Sequence, residues 1–84
     1  MHYTYVLLSE RDKKLYIGFT SNLKRRFSEH ERGEVESTKN RRPLKLVFYE
    51  AFQSVKDASR REKYFKTDKG KSSLKQIIRN SIEK

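Results

Sequence analysis

The sequence contains no cysteine. Disulfide staples and thiolate zinc centres are therefore excluded as sources of stability. It also lacks any long apolar run. The stretch His2-Tyr3-Thr4-Tyr5-Val6-Leu7-Leu8 turns polar at Ser9, too short for a signal peptide or a membrane span. Tryptophan is absent, and the basic residues are scattered, so no membrane-surface helix of the Trp-rich amphipathic kind is written here. There is no glycine-rich phosphate loop, no histidine pair at metal-ligand spacing, no internal repeat and no low-complexity tract. What is left is the expectation of a soluble, cytoplasmic protein. At 84 residues the expectation is one domain, 1–84, with a small core and modest stability.

Acidic residues are scarce beside basic ones: 11 Asp and Glu against 21 Lys and Arg, a formal net charge of +10. Such an excess attracts polyanions and speeds encounter with them. It points to nucleic acid, DNA or RNA, as the partner. No membrane and no protein partner is implied.

Residues 3–8 alternate Tyr3, Tyr5 and Leu7 with Thr4, Val6 and Leu8. Both faces carry apolar groups, so the strand should be central. Ser9-Glu10-Arg11-Asp12 reads as a turn and 13–19 as a second strand. A symmetric hairpin closed by that turn sets Tyr5 directly opposite Tyr16, on one face of the sheet. Thr20-Ser21-Asn22 supplies N-cap chemistry and Gly33 a stop, which bounds a helix over about 22–32. Leu23 and Phe27 mark its apolar face; His30 and Arg26 lie at its edge, while Arg25, Glu29 and Arg32 point to solvent. Residues 34–43 read as a polar loop, and Leu44 to Phe52 as a third strand. Ser54 and Asp57 suggest a capping box opening a helix to about Thr67, with Val55, Ala58 and Phe65 inward and Tyr64 outward. Gly70 should end or bend it. A last helix over 71–80 carries Leu74, Ile77 and Ile78. The order β-β-α-β-α-α implies an α+β fold: a three-stranded, mostly antiparallel sheet flanked by helices.

Five residues stand out chemically: Tyr5, Tyr16, Arg26, His30 and Glu62. Glu62 falls within the apolar stripe of its helix, where a carboxylate is costly unless it is paired or bound to a metal. Magnesium takes oxygen ligands, keeps waters and needs only one or two protein carboxylates. The plainer alternative is a structural ion pair. A phenol, with a pKa of roughly 10, becomes a base only where positive charge stabilises the phenolate; Lys14, Arg26 or a metal would supply it. Otherwise the tyrosines are ordinary half-buried strand aromatics. Arg26 offers forked donors to a phosphate, or is a plain surface cation. His30 would accept or orient the tyrosine proton, or is a hydrogen-bonded core residue. Gly18 either lets a helix approach the sheet or clears room beside Tyr16.

With those residues in view, the chain resembles the GIY-YIG nuclease superfamily, and within it the small free-standing bacterial UPF0213-like proteins. Tyr3-Thr4-Tyr5 stands in the GIY position, with Tyr3 and Thr4 replacing Gly and Ile, and Tyr16-Ile17-Gly18 is the YIG motif. The segment 20–30, with its Arg26 and His30, matches the helix that follows; 41–47 matches the loop and third strand; Arg61-Glu62-Lys63 matches the helix with the metal-binding glutamate. The resemblance implies the GIY-YIG fold and Mg²⁺-dependent (or Mn²⁺-dependent) DNA cleavage, as in DNA repair nucleases. Glu62 would hold the metal and Arg26 the scissile phosphate. Tyr5 or Tyr16, with Tyr16 favoured, would be the general base, assisted by His30. Many members carry an asparagine after the glutamate; here only Asn80 follows. The expected function is an endonuclease that is weakly sequence-selective or structure-selective. The alternatives are a non-catalytic nucleic-acid-binding module of the same fold and a structural accessory of a ribonucleoprotein.

Overall fold

Strand β1 (His2–Ser9) is buried without a break from Thr4 to Ser9. It lies in the middle of a three-stranded sheet of order β2-β1-β3, which explains why both its faces are apolar. A computed structural model of the chain describes residues 1–82; positions 83–84 of the expected domain lie outside the described residues. Strands β2 (Leu15–Thr20) and β3 (Leu44–Phe52) both pair antiparallel to β1. Helices α1 (Leu23–Glu31), α2 (Val55–Phe65), α3 (Asp68–Ile77) and a short α4 (Arg79–Ile82) complete the described chain, with a 3₁₀ turn at Lys39–Arg41.

The strand faces sort the core into two layers. Tyr5, Leu7 and Leu44 form one, packed by Leu23 and Phe27 of α1. Val6, Ile17, Phe65, Leu74 and Ile78 form the other, beneath α2 and α3. Thr4 ties α2 to this second face, its hydroxyl donating to the Ala58 carbonyl at 2.7 Å.

The hairpin register differs from the symmetric expectation. Tyr5 pairs with Gly18 and Leu7 with Tyr16. Local turn chemistry is the cause. Ser9 Oγ accepts from the amides of Arg11 and Asp12, Asp12 accepts from the Lys14 amide, and Lys13 takes φ +63°. These bonds carry the loop through Lys14, so β2 starts at Leu15 rather than at residue 13. The shift is two residues, an even number, so Tyr5 and Tyr16 still share a face.

Other local expectations are also revised. Val55 and Ile77 are exposed, because the buried stripes run through Ala58, Glu62 and Phe65 on α2 and through Gly70 and Leu74 to Ile78 on α3. Tyr64 is half-buried against the second layer rather than pointing out. Ser54 caps α2 by accepting from Lys56 N, while Asp57 pairs with Arg60, so no reciprocal box forms. Gly70 lies within the first turn of α3, which starts at Asp68 under a Thr67 cap. The 34–43 loop is not merely polar, since it buries Val35 and Thr38.

Candidate functional site

Strands β1 and β2 and helix α1 bring four of the five singled-out residues together. The Tyr5 and Tyr16 rings have centroids 6.4 Å apart. The His30 ring meets both edge-on, at 5.7 Å from Tyr5 and 5.2 Å from Tyr16. Asn22 caps α1 by accepting from Arg25 N, and Gly33 at φ +77° closes its other end by donating to the His30 carbonyl. Those two caps fix the phase of the helix. That phase turns His30 fully into the core and leaves Arg26 at its rim, its side chain 38% exposed.

A buried hydrogen-bonded chain runs through this cluster. The Tyr5 hydroxyl and His30 Nε2 are 2.8 Å apart, and His30 Nδ1 and Thr38 Oγ1 are 2.7 Å apart. Burial pushes the His30 pKa down to about 4, aided by the nearby Arg26 charge. The ring is therefore neutral at pH 7, with one nitrogen donating and the other accepting. Burial also pushes the Tyr5 phenol up to about 12, although Arg26 partly offsets it. Tyr5 thus stays protonated and fully enclosed. Tyr16 is only half-buried and is the more accessible of the two phenols.

Gly18 lies directly across from Tyr5, and a Cβ there would come within 2.6 Å of the Tyr5 hydroxyl. The glycine makes room for that side chain, rather than for helix packing or for a ligand beside Tyr16. Arg26 is held by Glu29, which accepts its Nη1–H at 3.0 Å and raises the guanidinium pKa further. Glu29 is therefore half-buried against the site rather than solvated.

Glu62 sits in the other layer. Its helix α2 packs against β1 and β2, on the face of Thr4 and Val6. Its carboxylate pairs with Lys66 one turn later and makes no hydrogen bond or ion pair to the Tyr5–His30 cluster. The Glu62 side chain is 12% exposed and that of Lys66 53%. A nearly buried carboxylate answered by an exposed ammonium on a flexible stem fits a single divalent cation. Glu62 would hold such an ion in place of Lys66, with water supplying the remaining ligands. Among the described residues no cluster of three acids or histidines exists to make a closed metal cage, which a magnesium or manganese site of this open kind does not need.

The first face does not end at the cluster. Past Tyr5 it opens into a groove of about 510 Å³ lined by Tyr3, Lys24, Phe27 and Tyr49 among others. Tyr49 is 54% exposed and meets the Tyr3 ring edge-on at 6.1 Å.

Two contributors escaped the sequence reading. Thr38 lies in an aperiodic polar loop, and nothing local marks it as the partner of a histidine. Glu29 carries a signal, because a carboxylate three positions after an arginine on a helix is its natural partner.

Two phenols, a guanidinium and a neutral imidazole thus gather on one face of a three-stranded sheet with the element order β-β-α-β-α-α. The chain belongs to the GIY-YIG family: residues 1–76 match the model described as the GIY-YIG catalytic domain. Its relatives include UPF0213 proteins. One from Staphylococcus haemolyticus is 40% identical over 77 residues, covering 90% of this chain and 93% of that one. Another, from Natronomonas pharaonis, is 45% identical over 67 residues, covering 79% and 78%. The solution NMR structure of a UPF0213 protein from Bacillus halodurans aligns with a TM-score of 0.57 at 33% identity, over 90% of this chain and 83% of that one. The family points to nuclease-type action on nucleic acid. The relatives' names specify no substrate and no metal. No described helix is long and apolar enough to cross a membrane.

Proposed function

We propose that the chain is a Mg²⁺-dependent endonuclease that hydrolyses DNA phosphodiesters with weak sequence selectivity or with selectivity for structure. The observation that carries this reading is the Tyr5–His30–Thr38 chain behind a half-exposed Tyr16, with Arg26 at its rim. Strand β2 is an edge strand, so a DNA strand laid along it can touch groups from both layers. On this reading Arg26 and Tyr16 would meet it from one layer and Glu62, on the helix packed against β1 and β2, from the other.

In this mechanism Arg26 grips the scissile phosphate through its forked donors and stabilises charge growing on phosphorus. A divalent ion held by Glu62 would supply Lewis-acid polarisation of the phosphoryl oxygen. Tyr16 orients the attacking water and, as the phenolate with its own proton already given up to solvent, accepts the water's proton. The new phosphorus–oxygen bond forms opposite the leaving oxygen, whose bond breaks and which takes a proton from solvent. Tyr5 and His30 are too buried to touch substrate, so both are positioning residues. With the proton on Nδ1 and donated to Thr38, His30 Nε2 accepts from the Tyr5 hydroxyl and locks that ring beneath Tyr16. The open groove of Tyr3, Lys24 and Tyr49 gives flanking nucleotides a basic and aromatic surface.

The test is incubation of wild type and Glu62→Gln with supercoiled, single-stranded and branched DNA, with and without Mg²⁺. The variant should lose cleavage and keep DNA affinity within a few-fold. Equal cleavage by both proteins would reject the reading. One observation favours the alternative of a non-catalytic binding module: Glu62 is paired with Lys66 in the other layer and makes no bond to the Tyr16–Arg26 face. That alternative expects salt-sensitive binding with no nicking at any Mg²⁺ or Mn²⁺ concentration.

A further inference from the structure

The second layer carries a cavity that the nuclease reading does not use. It opens between the β1–β2 turn and α3, holds about 550 Å³, and is rimmed by Lys13, Lys14, Lys71 and Lys75. Its floor is aliphatic, formed chiefly by Leu15, Ile17 and Leu74, with Ile82 at the mouth. No acid and no aromatic ring is among its described lining residues. Ile17 and Leu74 belong to the core cluster under α2 and α3, whereas Tyr5 belongs to the opposite one. The cavity and the Tyr16–Arg26 face therefore lie on opposite sides of the sheet, and both can be occupied at once.

The geometry points to this cavity as a docking site for a short acidic peptide of a partner protein, one with an apolar side chain beside its carboxylates. Two features select that occupant. Four ammonium groups around a concave surface call for several negative charges. The floor calls for an aliphatic or aromatic side chain large enough to displace its water. A nucleic-acid backbone would satisfy the lysines but leave the floor wet, and no ring is present on which a base could stack. The rim should steer encounter while the anchor side chain sets residence time. This site stands whether or not the opposite face cuts DNA.

The experiment is fluorescence polarisation with a fluorescein-labelled peptide Asp-Asp-Asp-Leu-Phe, beside a control peptide Asp-Asp-Asp-Ser-Ser of equal charge. Lys71→Glu/Lys75→Glu is compared with Lys45→Glu/Lys56→Glu, which reverses the same charge elsewhere. All four lysines are exposed, and thermal melting checks that both variants stay folded. The inference expects saturable binding of the first peptide. It also expects a loss of about tenfold or more for the control peptide and for Lys71→Glu/Lys75→Glu, and little change in the matched variant. It is overturned by absence of saturable binding, by equal binding of both peptides, or by equal loss in both variants. It is also overturned if a single-stranded oligonucleotide displaces the peptide and itself loses affinity only in Lys71→Glu/Lys75→Glu. That last result would assign the cavity to nucleic acid.

Discussion

Tyr5 keeps its place because the residue opposite has no side chain. A Cβ at position 18 would overlap the phenol at 2.6 Å, and the ring, 1% exposed, has nowhere else to go. Gly18→Ala should force the hydroxyl off His30 and cost about 1–3 kcal/mol in chemical denaturation. Unchanged stability would mean that the sheet yields there. His30 gives a pH signature with a fixed sign. Its folded pKa of about 4 lies below the ordinary value of about 6.5, so the unfolded chain binds the proton more readily. The stability contributed by the neutral ring is complete above roughly pH 6.5 and is lost as pH falls through about 4. A denaturation series over that range should show the loss in wild type and a flatter profile in His30→Gln. Identical profiles would show that the imidazole is not the titrating group.

At the scale of elements, the junction of α2 and α3 is the tightest point. A Cβ on Gly70 would fall 1.8 Å from the Tyr64 carbonyl oxygen, a backbone atom that cannot turn aside. Gly70→Ala should therefore destabilise by about 3 kcal/mol or more and lower the melting temperature by roughly 10 °C or more. A change of only a few degrees would show that the helices slide apart cheaply. Element types and order were readable because apolar spacing reports them directly: two-sided in β1, one-sided in α1. Boundaries were less readable wherever side chains bond to backbone. Ser9 and Asp12 extended the turn, and Thr67 started α3 before Gly70 rather than after it. No periodicity encodes those bonds. For the same reason Thr38 stayed hidden, since its burial depends on a loop returning to a histidine eight residues earlier.

At the scale of the whole molecule, a charge of +10 is spread over a body of 31 × 27 × 19 Å, wide beside a Debye length of about 8–10 Å, so a bound phosphate responds chiefly to the cations nearest it. DNA binding should fall linearly with log salt, and Arg26→Ala should lower that slope by about 1, as loss of one phosphate contact requires. An unaltered slope would take Arg26 off the phosphate. The sequence named candidates for the site but not their depth. Residue types and motif spacing marked the five candidates. Only the fold sets Tyr5 and His30 behind the surface and Glu62 in the other layer, because burial depends on what packs from distant parts of the chain. Tyr16 is the phenol that meets water in the proposed mechanism, and removal of its one oxygen atom is the sharpest probe of that role. Nicking of supercoiled plasmid by wild type and Tyr16→Phe should be measured at equal Mg²⁺ and equal bound DNA. The expected result is nicking by the wild type and a fall of about 100-fold or more in the variant, with the melting temperature unchanged. Undiminished nicking by Tyr16→Phe, or no nicking by the wild type with Mg²⁺ or Mn²⁺, would contradict it.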